Sequence, residues 1–444
     1  MASYFNYTIK EFLIESWDGT SSLNLASCIS SIQYFEDVFS PAIFISILLV
    51  NTDGLLTSFQ NDDPSMKSGI KGGERVRLVI EQTATKKTIT LDETKNPYYI
   101  YKIHSSTSEA TREFLSIELA PAEVFTNETS RVFNRYPEKE GNVESINSSV
   151  NSILKNVLKT NKNIDAESTL NSYSFFGNSK KPFTILTWLC PKAIPNIGKS
   201  GPEAGTAGFL FYENKNGYNF KSVDNLLSGL TPNTADSKNI IKYSLTNSVD
   251  KEADFASNFR IISMPVFEKN VNIFENLRIG MYSSVNYFFD INTRKLNVYN
   301  YKLTESYNTM KHSSSSTEKP KVPKGLENSP SRLMVKVTDS LVMNTLNGNP
   351  NKTPDNRIKY QSQSVARYNL AFTQLLNITI PLNLDLTVGD VIELNFGKIA
   401  KDDSRGTRDD LKSGYYLIKE LSHLFSEQQG YTGLKLVRDS YGKP

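Results

Sequence analysis

Cysteine, histidine and long apolar runs are scarce in this 444-residue sequence. The two cysteines, Cys28 and Cys190, stand far apart. They are too few for the disulfide framework of a secreted domain, so a reducing site of synthesis fits better. The three histidines, His104, His312 and His423, form no His-Glu-x-x-His motif, and no Cys-x-x-Cys pair accompanies them. No metal site and no cofactor site is expected from such a set. The most apolar run, Pro41 to Val50, has the length of a strand and falls far short of a bilayer span. Met1-Ala2-Ser3-Tyr4-Phe5-Asn6 lacks the basic start and apolar core of a signal peptide, so folding in a cytoplasm is expected. On that reading the sequons Asn127-Glu128-Thr129 and Asn377-Ile378-Thr379 are chance matches. An excess of one charge is missing too: 50 basic residues face 47 acidic ones, a formal net charge of +3, and charge alone does not imply a nucleic-acid binder.

What is present suits a folded chain of ~2–4 domains, with 38% hydrophobic, 11% aromatic and 22% charged residues. Ile378, Ile380, Leu382, Leu384, Leu386 and Val388 alternate with polar residues, the period of a half-buried strand. Gly389-Asp390 interrupts, and Val391 to Phe396 resumes the pattern. Tyr415 to Phe425 and Tyr431 to Arg438 then read as two strands joined by a turn at Ser426–Gly430. A similar block lies near the other end. Gly73-Glu74-Arg75-Val76-Arg77-Leu78 answers Gly389-Asp390-Val391-Ile392-Glu393-Leu394. Tyr98–His104 answers Tyr415–Leu421, and Phe114–Leu119 answers Tyr431–Leu436. Short antiparallel strands with long polar connections are how small β-barrels are written. The matching order points to an internal duplication of such a barrel.

The expected class is α+β, mainly β: two antiparallel β-barrel domains, an inserted α+β domain and a loop-rich excursion. Residues 1–121 form barrel one, with strands at Ser27–Tyr34 and Ile43–Val50 and loops at 51–54 and 61–68. Residues 122–240 form the insert. It should hold an amphipathic helix over 143–159, a second helix from Phe183 to Cys190 stopped by Pro191, a hairpin bracketing Glu213–Gly217, and a short helix capped by Ser222. Residues 241–305 open barrel two, with a helix over 252–260 and strands at Asn276–Tyr282, Val285–Asp290 and Leu296–Tyr301. Residues 306–365 are a loop-rich insertion carrying a lone strand at Leu333–Val337, and 366–444 complete barrel two through a lead-in at Ser364–Gln374.

Residues for chemistry are few, and no catalytic residue is assigned. His312 sits in a linker, while His104 and His423 occupy similar places in the two repeats, which suits a structural role. The glycine-rich loop Gly198–Gly208 lacks the spacing of a phosphate-binding loop. The acidic loop Asp402–Asp410 is interleaved with Arg405 and Arg408, so a solvated loop is expected rather than a calcium site. Trp17 and Trp188 read as packing residues. No Gly-x-Ser-x-Gly elbow is present, and no carboxylate pair is singled out.

Four stretches carry a family resemblance. They are Ser31–Val50 with Gly72-Gly73-Glu74-Arg75-Val76; Lys181–Leu189; Gly208–Asn214 with Phe220–Val223; and Ser413–Ile418 with Leu434–Asp439. On these the chain resembles the baseplate hub proteins of contractile-tailed, T-even-like bacteriophages, which are related to the hubs of contractile injection systems. The resemblance implies tail-tube-like barrels and a non-enzymatic homotrimer whose six barrels form a ring of approximate sixfold symmetry. Such a ring adapts a hexameric tail tube to a trimeric central spike. Its implied partners are the spike, the tail tube or tube-initiator proteins, the tape-measure protein and the surrounding baseplate proteins. Phage DNA would pass the lumen without specific binding, so a neutral or acidic lining is expected. The implied location is the virion tail baseplate, assembled in the host cytoplasm. The rival readings are a hub of a related injection or secretion apparatus, a tail-associated cell-wall hydrolase and, more distantly, a surface adhesin.

Overall fold

The computed structural model describes residues 4–16, 19, 21–51, 70–92, 95–104, 107–109, 112–136, 145–171, 173–197, 205–228, 240–245, 258–269, 271–314, 319–338, 356–398, 408–426 and 429–440. The chain is mainly β, with short helices between the strands. It begins with β1 (Tyr7–Glu15), β2 (Ile29–Asp37), β3 (Phe44–Asn51), β4 (Arg75–Gln82), β5 (Tyr98–Ile103) and β6 (Arg112–Pro121), followed by helix α1 (Ala122–Thr129). Period-two alternation explains β4: Val76, Leu78 and Ile80 are buried, while Arg75 and Arg77 pair with Glu15 and Glu11 of β1.

Next, α2 (Ile146–Ser152) runs on into a wider π turn at Ile153–Val157. Ile146, Val150, Ile153, Leu154 and Leu158 are all buried, as their helical spacing requires. Helix α3 (Pro182–Leu189) has proline at its first position, where the missing N–H has no intrahelical partner to lose, and tightens into a 3-10 turn at Cys190–Lys192. Strands β7 (Phe209–Asn214) and β8 (Gly217–Ser222) form the expected hairpin. Ser222 Oγ then accepts from the Asn225 N–H at 3.0 Å at the start of α4 (Val223–Ser228).

The rest comprises β9 (Ile241–Ser244), β10 (Val266–Lys269), α5 (Ile273–Ile279), β11 (Ser283–Asp290), β12 (Lys295–Lys302), β13 (Arg332–Thr338), α6 (Asn356–Ala371), β14 (Gln374–Pro381), β15 (Val391–Asn395), β16 (Gly414–Ser426) and β17 (Gln429–Arg438). Several of these differ from expectation. The strand expected at Asn276–Tyr282 is largely helix α5. Asn272 caps it by accepting from the Glu275 N–H at 3.2 Å, and Gly280, at φ +80°, closes it. The alternation of Leu277, Ile279 and Met281 imitated a strand. Strands β11 and β12 are present where expected, but β11 pairs with β12 and β13 in a separate three-stranded sheet outside the large one. Leu333–Val337 is therefore the parallel partner of β11 rather than a lone strand. The alternating run to Val388 is strand only to Pro381, and Leu382, Leu384, Leu386 and Val388 stay buried in a chain that turns. The lead-in at Ser364–Gln374 is mostly the end of α6, which crosses the boundary set at 365/366. The turn at 52–54, the loop at 61–68 and most of the helix expected over 252–260 lie outside the described residues.

The large sheet follows the path β10–β14–β17–β16–β2–β3–β6–β5–β4–β1, with β15 on β16 and β9 on β15. Two runs in it have the same order: β2–β3–β6–β5–β4 and β10–β14–β17–β16–β15. Their hydrogen bonds also agree in detail. The Gly73 N–H donates to Ile100 O at 2.7 Å and the Gly389 N–H to Ile418 O at 3.0 Å. The Ile100 N–H donates to Glu74 O at 3.0 Å and the Ile418 N–H to Asp390 O at 2.8 Å. The strand register slips between Ile100 and Lys102 and again between Ile418 and Glu420. Val76 faces Tyr98 as Ile392 faces Tyr416, so Tyr98 corresponds to Tyr416, one residue beyond the match read from the sequence. The Tyr-Tyr dipeptides misled, because their partners differ by one step. Burial agrees with the hydrogen bonds, since Tyr98 and Tyr416 are both fully enclosed. Corrected in this way, His104 matches Ser422, and His423 faces the other side of its strand.

Gly389 holds φ +86°, and a Cβ there would lie 2.3 Å from Tyr212 Oη. Gly389→Ala should therefore destabilise the protein by about 2–4 kcal/mol in urea unfolding. Gly19, at φ +71° with nothing close to its added Cβ, should lose only about 1 kcal/mol on the same change.

Candidate functional site

The two repeats meet along β16. The start of one edge, Gly414–Leu417, holds β15, and after the bulge at Lys419 that edge holds β2 through pairs from Glu420↔Asp37 to Ser426↔Ser31. The Val38 N–H donates to Lys419 O at 3.0 Å, where the partner changes. Side chains close the joint. Gln82 of β4 donates to Leu382 O at 2.6 Å and accepts from the Leu384 N–H at 3.3 Å, so its amide stands in for backbone.

Glu36 of β2 is the polar centre of this joint. Its buried carboxylate accepts from Tyr34 Oη at 2.6 Å, the Lys215 N–H at 2.8 Å, Thr387 Oγ1 at 2.8 Å and the Val388 N–H at 2.9 Å. One side chain thus ties the β7–β8 hairpin and the loop after β14 to β2. Burial raises its pKa, against the lowering effect of the bonds from Tyr34, Val388, Thr387 and Lys215. A second buried cluster holds the insert. Lys162 Nζ lies 2.9 Å from Glu123 and 2.5 Å from Glu213, above the rings of Tyr98 and Tyr218. Glu213 in turn accepts from the Ile43 N–H at 3.0 Å.

A third cluster centres on Arg367 of α6, which is wholly buried. Its guanidinium meets Asp224 at 2.9 Å, Asp439 at 2.8 Å and Lys311 O at 2.5 Å. Asp439 also holds His312 Nδ1 at 3.0 Å and accepts from the Ser313 N–H and hydroxyl, each at 2.9 Å. Burial alone would raise the Asp439 carboxyl, but the bond from His312 and the Arg367 charge outweigh it and hold the group well below the usual carboxylate range. His312, expected in a linker, is thus fixed at the junction of α6, α4 and the end of β17, stacked on Tyr307.

The other residues singled out by sequence do not converge. His104 pairs with Glu118 at 2.5 Å on a half-open face, while His423 is buried against Thr432 Oγ1 at 3.0 Å. Cys28 and Cys190 are buried free thiols, and burial pushes Cys190 up to about 12. Trp188, although 42% exposed, packs edge-on against Tyr173 and Phe175 at 5.4 and 5.5 Å, with Lys192 Nζ 3.7 Å above its ring, and Trp17 lies outside the described residues. Part of the loop 198–208 lies outside the described residues. At its end the Thr206 N–H donates to Asp224 at 3.1 Å and the Ala207 N–H to Gln363 at 3.2 Å, so these donors are already committed within the protein. Residues 402–407 of the acidic loop are also outside the described set; Asp410 lies 3.7 Å from Arg408. Asn127 of the first sequon is buried and accepts from the Phe183 N–H at 2.9 Å. Among the described residues no helix is long and apolar enough to cross a membrane, and no group of three metal-capable side chains assembles.

Sequence reading missed Glu36, Lys162, Asp224, Arg367 and Asp439 as a set. Their partners are distant in the chain, and only Arg367 carried a local signal: a cation between Ala366 and Leu370 on the apolar face of a helix.

Comparison with known proteins adds the fold. A tail protein from Neisseria meningitidis MC58 superposes with a TM-score of 0.54 at 10% identity, over 99% of this chain and 100% of that one. The chain has the fold of a tail protein. A 43 kDa tail protein of prophage MuSo2 from Shewanella oneidensis agrees, with a TM-score of 0.51 at 9% identity over 97% of this chain and 98% of its own. No family model matches the sequence, and no curated protein matches it. At such identities the tail-protein fold is held by burial pattern and register rather than by particular residues.

Arg367→Met leaves two buried carboxylates without their cation and should lower stability by about 3–5 kcal/mol in urea unfolding. Arg367→Lys should recover little of this, because one ammonium cannot fork between two acids. Burial, then the nearby Lys215 charge, lower the His423 pKa to about 3. The unfolded chain therefore takes up this proton first, and the stability due to neutral His423 is lost as pH falls from about 6.5 towards about 3. Between pH 7 and pH 5 wild type should lose roughly 2 kcal/mol more than His423→Gln, as read from paired urea titrations.

Proposed function

We propose that this chain is the baseplate hub of a contractile tail: a trimeric ring of two related barrels per chain that joins a hexameric tail tube to a trimeric spike. The observation that carries the reading is the joint between the repeats. In β16 the edge beyond the bulge is occupied by β2. The matching edge of β5, at Tyr101–Ile103, has no strand partner among the described residues, nor has the outer edge of β10, the counterpart of β2. The chain therefore ends each pair of repeats with the two halves of the joint it has already made once internally. Placing β10 of one copy on β5 of the next repeats that joint between chains, head to tail. If each joint turns the chain by a sixth of a circle, three copies close a ring and cover the edges of β5 and β10. Exposed apolar residues flank the β10 edge: Met264 is 86% and Phe274 76% exposed.

The same reading makes the buried clusters structural. They hold repeats, insert and α6 in fixed relation, as a load-transmitting ring needs, and assign no residue to catalysis. The spike, tube, tape-measure and neighbouring baseplate proteins are its partners, and DNA passes through the centre without being read. The virion tail is its place. Multi-angle light scattering of the purified chain should give about three times 49.9 kDa, or that mass plus the spike's own when the two co-purify. A one-chain mass in both settings overturns the ring.

A further inference from the structure

Lys162 stands between two acids from other elements, and all three groups are closed off from water. Its Nζ lies 2.5 Å from Glu213 of β7 and 2.9 Å from Glu123 of α1, and the side chains of Lys162, Glu123 and Glu213 are 4%, 6% and 1% exposed. The buried rings of Tyr98 and Tyr218 stand 5.4 and 5.6 Å from the ammonium. The two acids are held differently. Glu213 meets Nζ with Oε1, while its Oε2 accepts from the Ile43 N–H at 3.0 Å. Glu123 Oε1 accepts from Thr160 Oγ1 at 2.6 Å, and its buried Oε2, 2.9 Å from Nζ, accepts no hydrogen bond. Two carboxylates share one cation, so an ion pair leaves one negative charge over. Burial, with the Glu123 charge adding to it, raises the Glu213 pKa against the opposing pull of Lys162.

We propose that Lys162 and Glu213 condense into an amide, one covalent crosslink between the chain after α2 and strand β7. A proton passes from the ammonium to Glu213 Oε1, which leaves a neutral amine facing a neutral carboxyl group. The Nζ lone pair attacks Glu213 Cδ, and the Ile43 N–H stabilises the charge that develops on Oε2. Glu123 Oε2 takes a second proton from the nitrogen and returns it to the departing hydroxyl. The Nζ–Cδ bond forms, the Cδ–Oε1 bond breaks and water leaves. The cluster keeps its single negative charge, and no oxidant, reductant or cofactor enters. In open water amine and acid ionise and stay apart. Here they are already in contact, and the product replaces a buried ion pair, costly to desolvate, with a neutral amide. The step runs once in each chain and has no turnover, in keeping with a structural part. It closes a loop of about 50 residues, whose Glu213 end is anchored on Ile43 beside β3.

The test is the mass of the full chain, purified, aged near neutral pH and then denatured. Wild type should weigh one water, about 18 Da, less than its sequence. Trypsin should fail to cut at Lys162 and should release one branched peptide, Thr160–Lys180 joined to Ser200–Lys215. Lys162→Arg keeps the cation but not the nucleophilic amine, and it should retain its full sequence mass. Glu123→Gln should slow the loss of water by roughly a hundred-fold. Wild type at its full sequence mass overturns the crosslink whatever the variants do. A loss of water that maps to other peptides, or that persists in Lys162→Arg, overturns it as well. Glu123→Gln crosslinking as fast as wild type overturns the part given to Glu123. These readings are made on denatured single chains, so they stand or fall separately from the ring.

Discussion

One strand, β16, holds the molecule together because the two halves of one of its edges take different partners, β15 and then β2. The bulge at Lys419 is the device. An extra residue rotates the strand and releases β15 from its edge, so that the seven following residues can take β2 instead. Burial then has to satisfy the polar groups that the crossing brings inside, and Glu36 and Gln82 do this with side-chain oxygens placed where backbone would otherwise be orphaned. The arrangement has no gradual alternative: shifting the register by one residue would turn Leu421, His423 and Phe425 outward and bring Ser422 and Leu424 inward.

The large β class, the order of strands in the repeat, the insert's helices and its hairpin were legible because each rests on local periodicity. Val76, Leu78 and Ile80 announce β4 by themselves, as Ile146, Val150 and Leu154 announce α2. What was not legible depends on distant partners. Strands β11 and β12 read correctly as strands, but nothing in Val285–Tyr301 says that they pair with Arg332–Thr338 rather than with β14. Helix α5 was misread because its seven residues carry too little pattern, and its meaning lies in the Asn272 and Gly280 boundaries. The repeat was found to within one residue, and the missing step lay in the Tyr-Tyr dipeptides, which look alike but stand one position apart relative to Val76 and Ile392.

The polar clusters were the least legible part of the candidate site. Arg367 and Asp224 are 143 positions apart, and Glu36 and Val388 are 352 apart. An ion pair of this kind contributes little or nothing against a well-packed apolar replacement, but the loss of one member is strongly destabilising. Its effect is therefore on uniqueness: α6 can sit in one rotation only, with Arg367 inward.

The pairing of β2 with β16 joins residues nearly four hundred positions apart. During synthesis β2 emerges early and waits, with a bare edge, until almost the whole chain has left the ribosome. Contacts of such separation slow the search for the native state and extend the time in which apolar strands are available to other molecules. A polypeptide cut short before Gly414 keeps most of its first repeat and none of the strand that completes it. Quality control can therefore recognise an unfinished chain by that edge.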